Sequence, residues 1–364
     1  MPEAMRVLIA GGGTGGHLYP GIALAEEIRS RPGGDVLFVG AQRGLETRLV
    51  PEAGYPLELL EVSGIKRTGL RGLVRGLAKL PRALSLSRQI LKRNDPAVVV
   101  GVGGYASGPM VLMASLMGYP TAIQEQNSHP GFTNKVLRRF VDRVYIAFDD
   151  ARKQLGKRKT TLVGNPVRRS FIEGAQRPYA PEADRLVVVG GSQGARAIND
   201  LVAGMSPLLM ERGELPAILH QSGQSDFERV RRRYDVLRVG ARVDLRPYIE
   251  NMQEALSHAA LVVSRAGALT LAELAIVGCP AILIPLPTAS DDHQTSNARA
   301  FERAGAAVVL VQRETTADDL ADLVAELMAD KPRRAKMSAA MRALGRPNAA
   351  REIVDDLTLL VNRS

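Results

Sequence analysis

The stretch from Leu261 to Asn297, LVVSRAGALTLAELAIVGCPAILIPLPTASDDHQTSN, decides which fold class the chain belongs to. It opens with a short apolar run, residues 261–263, that is typical of a buried strand. A turn of small residues and a helical pattern over residues 269–276 follow, and a second apolar strand, Ala281–Pro285, leads into a polar loop and a helix. This order predicts a parallel sheet, in which ligands bind at the loops that follow the carboxyl ends of the strands.

Three features of this stretch suit a nucleotide sugar. The helix after Ala268 directs its free N–H groups and positive dipole end at an anion. The Glu273 carboxylate can accept hydrogen bonds from the hydroxyls of a ribose, and the Gln294 amide can reach sugar hydroxyls. An ordinary βαβ unit with charged residues on its solvated face is the alternative, and this stretch alone leaves both interpretations open.

Composition bounds the class of protein and its partners. The 364 residues predict two domains, each with its own core, and 45% hydrophobic and 24% charged residues are globular values that exclude a disordered chain. The formal net charge of +10 predicts an acidic partner: nucleic acid, an anionic membrane surface or a phosphorylated substrate. Aromatic residues make up only 4%, without Trp, which argues against a stacking platform, so we expect no nucleic-acid partner. The lone Cys279 excludes a disulfide scaffold.

One charge-free run, Ala97–Gln124, is long enough to span a bilayer. Its glycines and prolines are spaced as turns, so we expect buried strands and a helix within a sheet instead. The first residues lead directly into a strand without the apolar core of a signal peptide. The sequence therefore predicts a soluble chain.

Strand and helix signals alternate along both halves of the chain, which is typical of parallel βαβ units. Each half begins with a strand, a glycine loop and a helix. We place the hinge in the Pro- and Ala-rich stretch Gln176–Ala183. The prediction is an α/β protein with two Rossmann-like parallel-sheet domains, residues 1–175 and 176–345, that face each other across a cleft.

The first glycine loop runs from Gly11 to His17 and formally matches G-x-G-x-x-G, which alone is weak support for a dinucleotide site. The second strand ends without the carboxylate that an NAD site needs, although Arg43 keeps an NADP site open. The loop ends instead in Thr14 and His17, at a helix N-terminus. A histidine there can act as a general base at neutral pH, and a capping histidine without chemistry is the alternative.

The second glycine loop, Gly190–Gly194, lacks the lysine of a P-loop, so it is not expected to cradle ATP or GTP. Its backbone N–H groups and the Ser192 hydroxyl still suit a diphosphate. Arg168, after the turn Gly164-Asn165-Pro166, could add a charge-assisted contact, or it could be a solvated arginine.

Two further polar groups follow apolar strands of the first half and so point toward the same cleft. They are Gly103-Gly104-Tyr105 and Glu125-Gln126-Asn127. Tyr105, Glu125 and Asn127 could orient an acceptor, or they could only cap helices and fill turns.

A basic segment extends from Lys66 to Arg93 without a single Asp or Glu. Leucines at spacings of three and four alternate with its basic residues, which predicts an amphipathic helix, broken near Pro81, of the kind that lies on anionic lipid. A core helix with a solvated basic face is the equal alternative. The chain has no Asp-x-Asp and its histidines have no ligand spacing, so we expect neither a metal nor another cofactor.

Seven motifs occur in an order that is shared with a known family: GGGTGGH, GGYAS, EQNSHPGFTNK, GNPVR, GGSQGARAIN, SRAGALTLAEL and DDHQTSNA. The chain resembles the UDP-N-acetylglucosamine–N-acetylmuramyl-(pentapeptide) pyrophosphoryl-undecaprenol N-acetylglucosaminyltransferases over nearly its whole length. These bacterial enzymes make lipid II of peptidoglycan from lipid I. The resemblance implies a GT-B fold, with the acceptor mainly in the first domain, the donor mainly in the second, and a terminal helix (residues 346–364) that returns to the first domain.

The resemblance also assigns the residues of the site. It implies that the donor UDP-GlcNAc is contacted by residues of both halves: Thr14, Gly15, Gly16, Asn127, Arg168, Ser192, Gln193, Ile249, Ala268, Leu269, Thr270, Leu271, Ala272, Glu273 and Gln294. Ser192 is expected at the diphosphate, Ile249 beside the uracil, and Tyr105 toward the acceptor. In the implied inverting reaction the 4-hydroxyl of the muramyl sugar displaces UDP, which requires a base and a cradle for the leaving charge. His17 is the candidate base and Glu125 the less favoured one.

The implied acceptor, lipid I, is held in the membrane. The resemblance therefore implies a peripheral protein at the cytoplasmic face of the cell membrane, bound through Lys66–Arg93, with partners among cell-wall synthesis proteins. Relatives carry aromatic residues on this patch that this chain lacks. Two alternatives remain: a UDP-GlcNAc 2-epimerase, which needs no lipid, and a non-catalytic sugar-nucleotide-binding subunit.

Overall fold

The structure is a computed structural model that describes residues 5–42, 44–62, 69–174, 179–191, 193–287 and 292–363, and of residues 69–79 it describes the backbone. Arg43, Ser192, the start of the predicted hinge and most of the polar loop before Gln294 lie outside this part of the chain. The chain divides into an N-terminal unit, Met1–Arg169 with Pro347–Ser364, and a C-terminal unit, Ser170–Arg346.

The N-terminal unit is built on a parallel sheet in the order β3-β2-β1-β4-β5-β6-β7. Its strands are Arg6–Gly11 (β1), Asp35–Ala41 (β2), Leu57–Leu60 (β3), Val98–Gly103 (β4), Thr121–Glu125 (β5), Arg143–Ile146 (β6) and Thr160–Leu162 (β7). Its helices are Gly15–Arg29 (α1), Glu46–Glu52 (α2), Gly69–Asn94 (α3), Ser107–Leu116 (α4), Phe132–Leu137 (α5), Arg152–Leu155 (α6) and, at the end of the chain, Ala349–Val361 (α15). The short helix Arg169–Gly174 (α7) lies at the boundary between the units.

The C-terminal unit has a parallel sheet in the order β10-β9-β8-β11-β12-β13. Its strands are Arg185–Val189 (β8), Ala217–Gln221 (β9), Val243–Arg246 (β10), Leu261–Ser264 (β11), Ala281–Leu283 (β12) and Ala307–Val309 (β13). Its helices are Arg196–Glu211 (α8), Phe227–Leu237 (α9), Met252–Ser257 (α10), Ala268–Val277 (α11), His293–Arg303 (α12), Ala317–Ala329 (α13) and Lys331–Leu344 (α14). The predicted α/β class with two Rossmann-like parallel-sheet domains is confirmed.

The central strands of both sheets are apolar and almost completely buried, because helices cover both faces of a parallel sheet. In the N-terminal unit the last helix, α15, contributes Ile353, Val354 and Leu357 to the same core as β1 and β4. The Asp356 carboxylate of α15 accepts hydrogen bonds from Arg143 Nε (2.9 Å) and Tyr145 Oη (2.8 Å) on β6. Apolar packing and a partly buried polar contact thus attach the end of the chain to this unit.

Helix α3 corrects one prediction, since it runs through Pro81 without a break. Proline removes one backbone hydrogen bond and crowds the preceding turn, at a cost of about 3 kcal/mol in a helix interior. The buried face that follows, Ala83, Ser87 and Leu91, continues at helical spacing and offsets that cost. No helix of the described residues is long and apolar enough to cross a membrane.

Smaller corrections concern element ends and polar helices. The helix predicted for residues 131–140 covers only Phe132–Leu137, and the strand predicted to reach Pro285 ends at Leu283. Helices α9 and α10 have no counterpart in the sequence prediction. Residues 227–237 are mostly charged and only Val230 and Tyr234 are buried in this helix, so the apolar periodicity that reveals a helix is weak.

Candidate functional site

Within the N-terminal unit the predicted polar residues follow β1, β4 and β5, which are neighbours in the sheet. The strand order reverses direction at β1 and β4, and open α/β sheets bind ligands outside the carboxyl ends of the strands at such a point. The loops after these three strands, residues 12–14, 104–106 and 126–131, therefore lie where a ligand is expected.

The first glycine loop is held in place by a carboxylate beneath it. Glu46 is 1% exposed, and its two oxygens accept hydrogen bonds from the N–H groups of Gly13 (2.7 Å) and Ala41 (2.9 Å). Gly12 has φ of +140°, and a Cβ at this position would lie 2.6 Å from a Glu46 oxygen. The loop can approach this carboxylate only as glycine, and the carboxylate fixes where the following helix begins.

Helix α1 begins directly after this loop, with Thr14 as its N-cap. The Thr14 hydroxyl makes no capping hydrogen bond, and it is exposed together with Gly16. Among the described residues, nothing accepts a hydrogen bond from the N–H groups of Gly15 and Gly16. The positive end of a 15-residue helix is thus left available to an anion or a polar ligand.

The imidazole of His17 lies in the first turn of α1 and is half-buried. Its Nδ1 lies 3.1 Å from Oε1 of Gln126, on the loop after β5. A Cβ at Gly103 would lie 2.6 Å from the same nitrogen, so the ring sits against the glycine at the end of β4. Nε2 has no partner among the described residues. The histidine is therefore anchored through one nitrogen and open at the other.

Glu125, the second candidate base, has its carboxylate occupied. It is 2% exposed and accepts hydrogen bonds from Asn127 N (3.0 Å), Gly131 N (3.0 Å) and Asn134 Nδ2 (2.8 Å). Asn127 Nδ2 is a fourth donor, at 3.3 Å, so both carboxylate oxygens are occupied and they shape the loop after β5. This geometry favours a structural role for Glu125 over proton abstraction, and it leaves His17 as the stronger candidate.

The other predicted residues of this unit surround these loops. Tyr105 is 51% exposed, at the turn after β4, and Asn127 is half-buried. The Arg168 guanidinium carbon lies 5.0 Å from the centre of the Tyr19 ring, on α1, which is within cation–π range. Arg168 is thereby held beside the helix whose start carries Thr14 and His17.

In the C-terminal unit, the predicted nucleotide-binding residues occupy the start of α11. Gly267 is the N-cap in an extended conformation and provides no side-chain cap, and the residues before it are the small turn that follows β11. Leu269, Thr270 and Ala272 are half-buried, whereas Ala268 and Leu271 are buried. Glu273 lies in the second turn of this helix and is only 6% exposed.

Gln294 lies in the first turn of α12, next to the end of β12. Its Oε1 accepts a hydrogen bond from Leu286 N (3.0 Å), which leaves the amide NH₂ to donate elsewhere. Arg265, in the small turn after β11, is buried, and its Nη1 donates to the carbonyl oxygens of Ile284 (3.0 Å) and Pro285 (3.2 Å). Burial lowers the pKa of this guanidinium to about 10. Arg265 thus connects the loops after β11 and β12.

The second glycine loop is held by an amide. The Gln221 Nε2 donates to Gly191 O (3.0 Å), and its Oε1 accepts from Ile249 N (2.8 Å). The loop is therefore coupled to Ile249, the residue assigned to the uracil, which is 2% exposed. Gln193 is exposed at the loop, and Ser192 lies outside the described residues.

Sequence reasoning missed Glu46 and Gln221, which position the two glycine loops, and it assigned no role to Gln126. Each of these contacts joins residues at least 28 positions apart along the chain, and no local motif marks them. A buried polar residue near a strand end is the only signal, and it becomes visible once burial is known. Across the described ranges, no cluster of three or more His, Cys, Asp or Glu side chains could hold a metal ion.

Two family models match the chain. The N-terminal domain model of glycosyltransferase family 28 matches residues 7–146, and the C-terminal domain model of the same family matches residues 185–354.

Two curated relatives that cover nearly the whole chain carry the same name. A UDP-N-acetylglucosamine–N-acetylmuramyl-(pentapeptide) pyrophosphoryl-undecaprenol N-acetylglucosamine transferase of Anaeromyxobacter sp. (strain Fw109-5) is 49% identical over 361 residues, 99% of this chain and 94% of the relative. The protein of that name from Myxococcus xanthus (strain DK1622) is 49% identical over 353 residues, 96% of this chain and 92% of the relative. Among solved structures, Acinetobacter baumannii MurG superposes with a TM-score of 0.78 at 31% identity, covering 97% of this chain and 99% of that one.

Proposed function

The chain belongs to glycosyltransferase family 28, and on that premise we propose that it transfers GlcNAc from UDP-GlcNAc to lipid I. The 4-hydroxyl of the muramyl sugar attacks the anomeric carbon, the bond from that carbon to the phosphate oxygen breaks, and UDP leaves with inversion. The products are lipid II and UDP. The observation that carries this function is the 49% identity, over nearly the whole chain, to two proteins named as N-acetylglucosamine transferases that use this donor and acceptor.

We assign the donor to the C-terminal unit. The start of α11 has no side-chain cap, and its dipole favours the negative charge of the diphosphate and of the departing UDP. Glu273 would accept hydrogen bonds from the ribose, and the NH₂ of Gln294, which has no acceptor among the described residues, would donate to a hydroxyl of GlcNAc. Backbone amides with few side chains in the way suit a ligand that must be released after every turnover.

We assign activation of the acceptor to His17. Nε2, which has no partner among the described residues, accepts the proton of the attacking hydroxyl as the new C–O bond forms. This is the role of a general base. The Glu125 carboxylate accepts hydrogen bonds from three residues of its own loop and helix α5, which supports the choice of His17 over Glu125. The Thr14 hydroxyl and the N–H groups of Gly15 and Gly16 are left for the ligand.

The function is tested by incubating the purified protein with UDP-GlcNAc and a lipid I analogue and following release of UDP. We expect UDP and a product that carries the added GlcNAc, both dependent on the acceptor. If UDP-GlcNAc is converted to its C2 epimer without an acceptor, the protein is an epimerase. If the donor binds but nothing turns over, it is the non-catalytic binding subunit. The names of the relatives favour neither alternative.

We propose further that the protein binds the cytoplasmic face of the membrane through α3. In the described part of this helix, Arg82, Arg88, Lys92 and Arg93 are all exposed, opposite the buried face. Arg82 pairs with Glu61 and Arg93 with Glu58, whereas no described carboxylate pairs with Arg88 or Lys92. Helix α4 packs on α3 and carries Leu116, a leucine that is 66% exposed. Exposed cations on one helix and an exposed leucine on the helix packed against it suit a surface of anionic lipid.

Vesicle binding tests this membrane surface. The double variant Lys79→Glu with Arg82→Glu should weaken binding to vesicles that contain anionic lipid by about tenfold or more, since each cation near such a surface contributes roughly 1 kcal/mol. Arg231→Glu with Arg232→Glu, on α9 of the C-terminal unit, makes the same change in net charge and should bind like the unmodified protein. Equal loss in both variants would point to net charge alone. Cell-wall synthesis proteins as partners stay a prediction.

A further inference from the structure

We propose that Gln126 is a positioning residue that holds His17 as the tautomer with a proton on Nδ1, so that Nε2 is the proton acceptor. The inference deepens the role assigned to His17 and rests on the proposed function. Gln126 is 2% exposed, and its Oε1 is the partner of His17 Nδ1. The question is whether the amide presents an oxygen or an NH₂ to the ring, because that choice decides which ring nitrogen carries the proton.

The orientation of the Gln126 amide follows from its other neighbours. Its second terminal atom lies 2.8 Å from the carbonyl oxygen of Val102, at the end of β4. A carbonyl oxygen only accepts, so the atom that faces it must be the NH₂. The oxygen of the amide then faces His17, and His17 Nδ1 must be the donor. A flipped amide would place two oxygens against each other in a buried site.

A second layer of amides holds Gln126 in this orientation. Its NH₂ also contacts Oε1 of Gln124, whose own Nε2 donates to Asn165 Oδ1 (2.9 Å). Asn165 Nδ2 donates back to the carbonyl oxygen of Gln126 (3.1 Å). Gln124 and Asn165 are buried, so each flip in this chain of amides would leave a buried donor or acceptor without a partner.

The chain of amides is uncharged, and this has a chemical consequence. A carboxylate in place of Gln126 would stabilise the imidazolium and so favour a histidine that already carries the proton it must accept. A neutral oxygen fixes the same tautomer without that effect. The arrangement therefore orients the base without placing a negative charge beside it.

The tautomer can be measured directly by ¹⁵N NMR on protein with labelled histidine. In the unmodified protein we expect the His17 signals to show a protonated Nδ1 and an unprotonated Nε2. In Gln126→Met, which keeps the shape of the side chain but offers no amide oxygen, the Nε2–H form should become populated. Unchanged His17 signals in this variant would overturn the proposal.

Steady-state kinetics supply the second readout. Gln126→Met should lower kcat by about 10- to 100-fold, as expected for a histidine in the wrong tautomer, with little change in KM for UDP-GlcNAc. Gln126→Glu should recover part of kcat, because as the neutral acid its O–H can donate to Val102 O while its other oxygen still accepts from His17 Nδ1. A Gln126→Met enzyme with unchanged kcat, or a folded Gln126→Glu enzyme that recovers none of the lost kcat, would contradict the proposal.

A matched control exists in the same unit. Gln154 Nε2 lies 3.1 Å from Nδ1 of His129, so Gln154→Met removes another glutamine–histidine contact, one that involves neither His17 nor Gln126. It should leave the His17 signals unchanged. If His17→Ala retains turnover, His17 is not the base and the assigned role fails, whereas the NMR result still decides whether Gln126 sets the tautomer. The two failures are thus distinguishable.

Discussion

His17 in the N-terminal unit and His220 in the C-terminal unit each bind an amide oxygen through one ring nitrogen. Among the described residues, only His220 also has a partner for its second ring nitrogen. His220 is 0% exposed, and both of its nitrogens are used, by Tyr234 Oη (2.8 Å) and by Asn199 Oδ1 (3.0 Å). His17 is half-buried and uses only Nδ1. Burial lowers the pKa of His220 to about 3, against the opposing charge of Asp226, so its ring is held neutral inside the core.

Two threonines repeat this contrast. Thr14 and Thr316 are both N-cap residues with extended backbones, at the starts of α1 and α13. Thr316 forms a complete capping box with Asp319, the third residue of its helix. The third residue of α1 is His17, which is bonded to Gln126 instead, and the Thr14 hydroxyl has no partner among the described residues. In the C-terminal unit the histidine and the threonine have all their side-chain polar atoms hydrogen-bonded. In the N-terminal unit Thr14 Oγ1 and His17 Nε2 have no partner among the described residues, and we call this start of α1 the open region.

The largest effect is expected from His17→Ala. If Nε2 is the base, kcat should fall by about 10²- to 10⁴-fold with little change in donor affinity or in the free energy of unfolding. His220→Ala should do the reverse, because it leaves a cavity and unpaired partners in the core: stability falls by about 2 to 4 kcal/mol. The measurements are UDP release and urea unfolding of both variants. A catalytic loss in folded His220→Ala as large as in His17→Ala would break the comparison.

The second largest effect is expected from lowering the pH, which should destabilise the folded protein through protonation of His220. The folded-state pKa is lowered to about 3 whereas the unfolded value is about 6.5, so the unfolded chain binds more protons in this range. The contribution of the neutral ring is complete above pH 6.5 and is lost as the pH falls toward 3. Between pH 7 and 5 this amounts to about 2 kcal/mol. Hydrogen exchange of β9 and α8 peptides at pH 7 and pH 5 measures it.

The control for the acid prediction is His220→Gln, which removes the titrating ring. This variant should be less stable at pH 7 but should lose less stability between pH 7 and pH 5 than the unmodified protein. An equal acid dependence in both proteins would mean that other groups, and not His220, cause the loss.

Glu46→Gln should have a smaller effect, because it changes the carboxylate that holds the first glycine loop in place. The glutamine keeps the shape of the side chain but presents an NH₂ to either Gly13 N–H or Ala41 N–H, where a carboxylate oxygen accepts. The expected loss of unfolding free energy is about 1.5 kcal/mol, together with reduced turnover, because the loop that carries Thr14 and His17 loses a support. Glu52→Gln, on the exposed side of α2, should leave stability and turnover unchanged. Urea unfolding and UDP release decide between them.

The fold could be predicted to a large extent because apolar runs such as Val98–Val102 mark strands that are buried on both faces. The glycine loops could be placed for a related reason, since they follow such strands directly. Helix α9 could not be found, because its charged sequence buries few residues. The course of α3 through Pro81 depended on packing that follows the proline and that no local propensity contains.

The site could be predicted from the sequence only in part. Motifs point to His17 and Glu273, but they do not show which neighbour sets a side chain's hydrogen bonds. That Glu125 is occupied by Asn127, Gly131 and Asn134 follows from the turn of the loop after β5 and not from residue type. The orientation of the Gln126 amide depends on Val102, on a different strand. Such contacts depend on the order of strands in the sheet. They are what distinguishes a candidate base, His17, from a carboxylate with a structural role, Glu125.

The smallest effects should come from the two threonines, and they should have opposite signatures. Thr316→Ala removes the hydroxyl of a complete capping box and should lower the free energy of unfolding by about 1 kcal/mol with unchanged turnover. Thr14→Ala removes a hydroxyl that caps nothing, so stability should stay the same. If that hydroxyl contacts the substrate, kcat/KM for UDP-GlcNAc should fall by about fivefold, the equivalent of one ordinary hydrogen bond. Urea unfolding and initial rates on both variants measure this. A Thr14→Ala protein that loses stability but keeps its kcat/KM would show that the start of α1 is closed like that of α13, and the open region would then reduce to His17 alone.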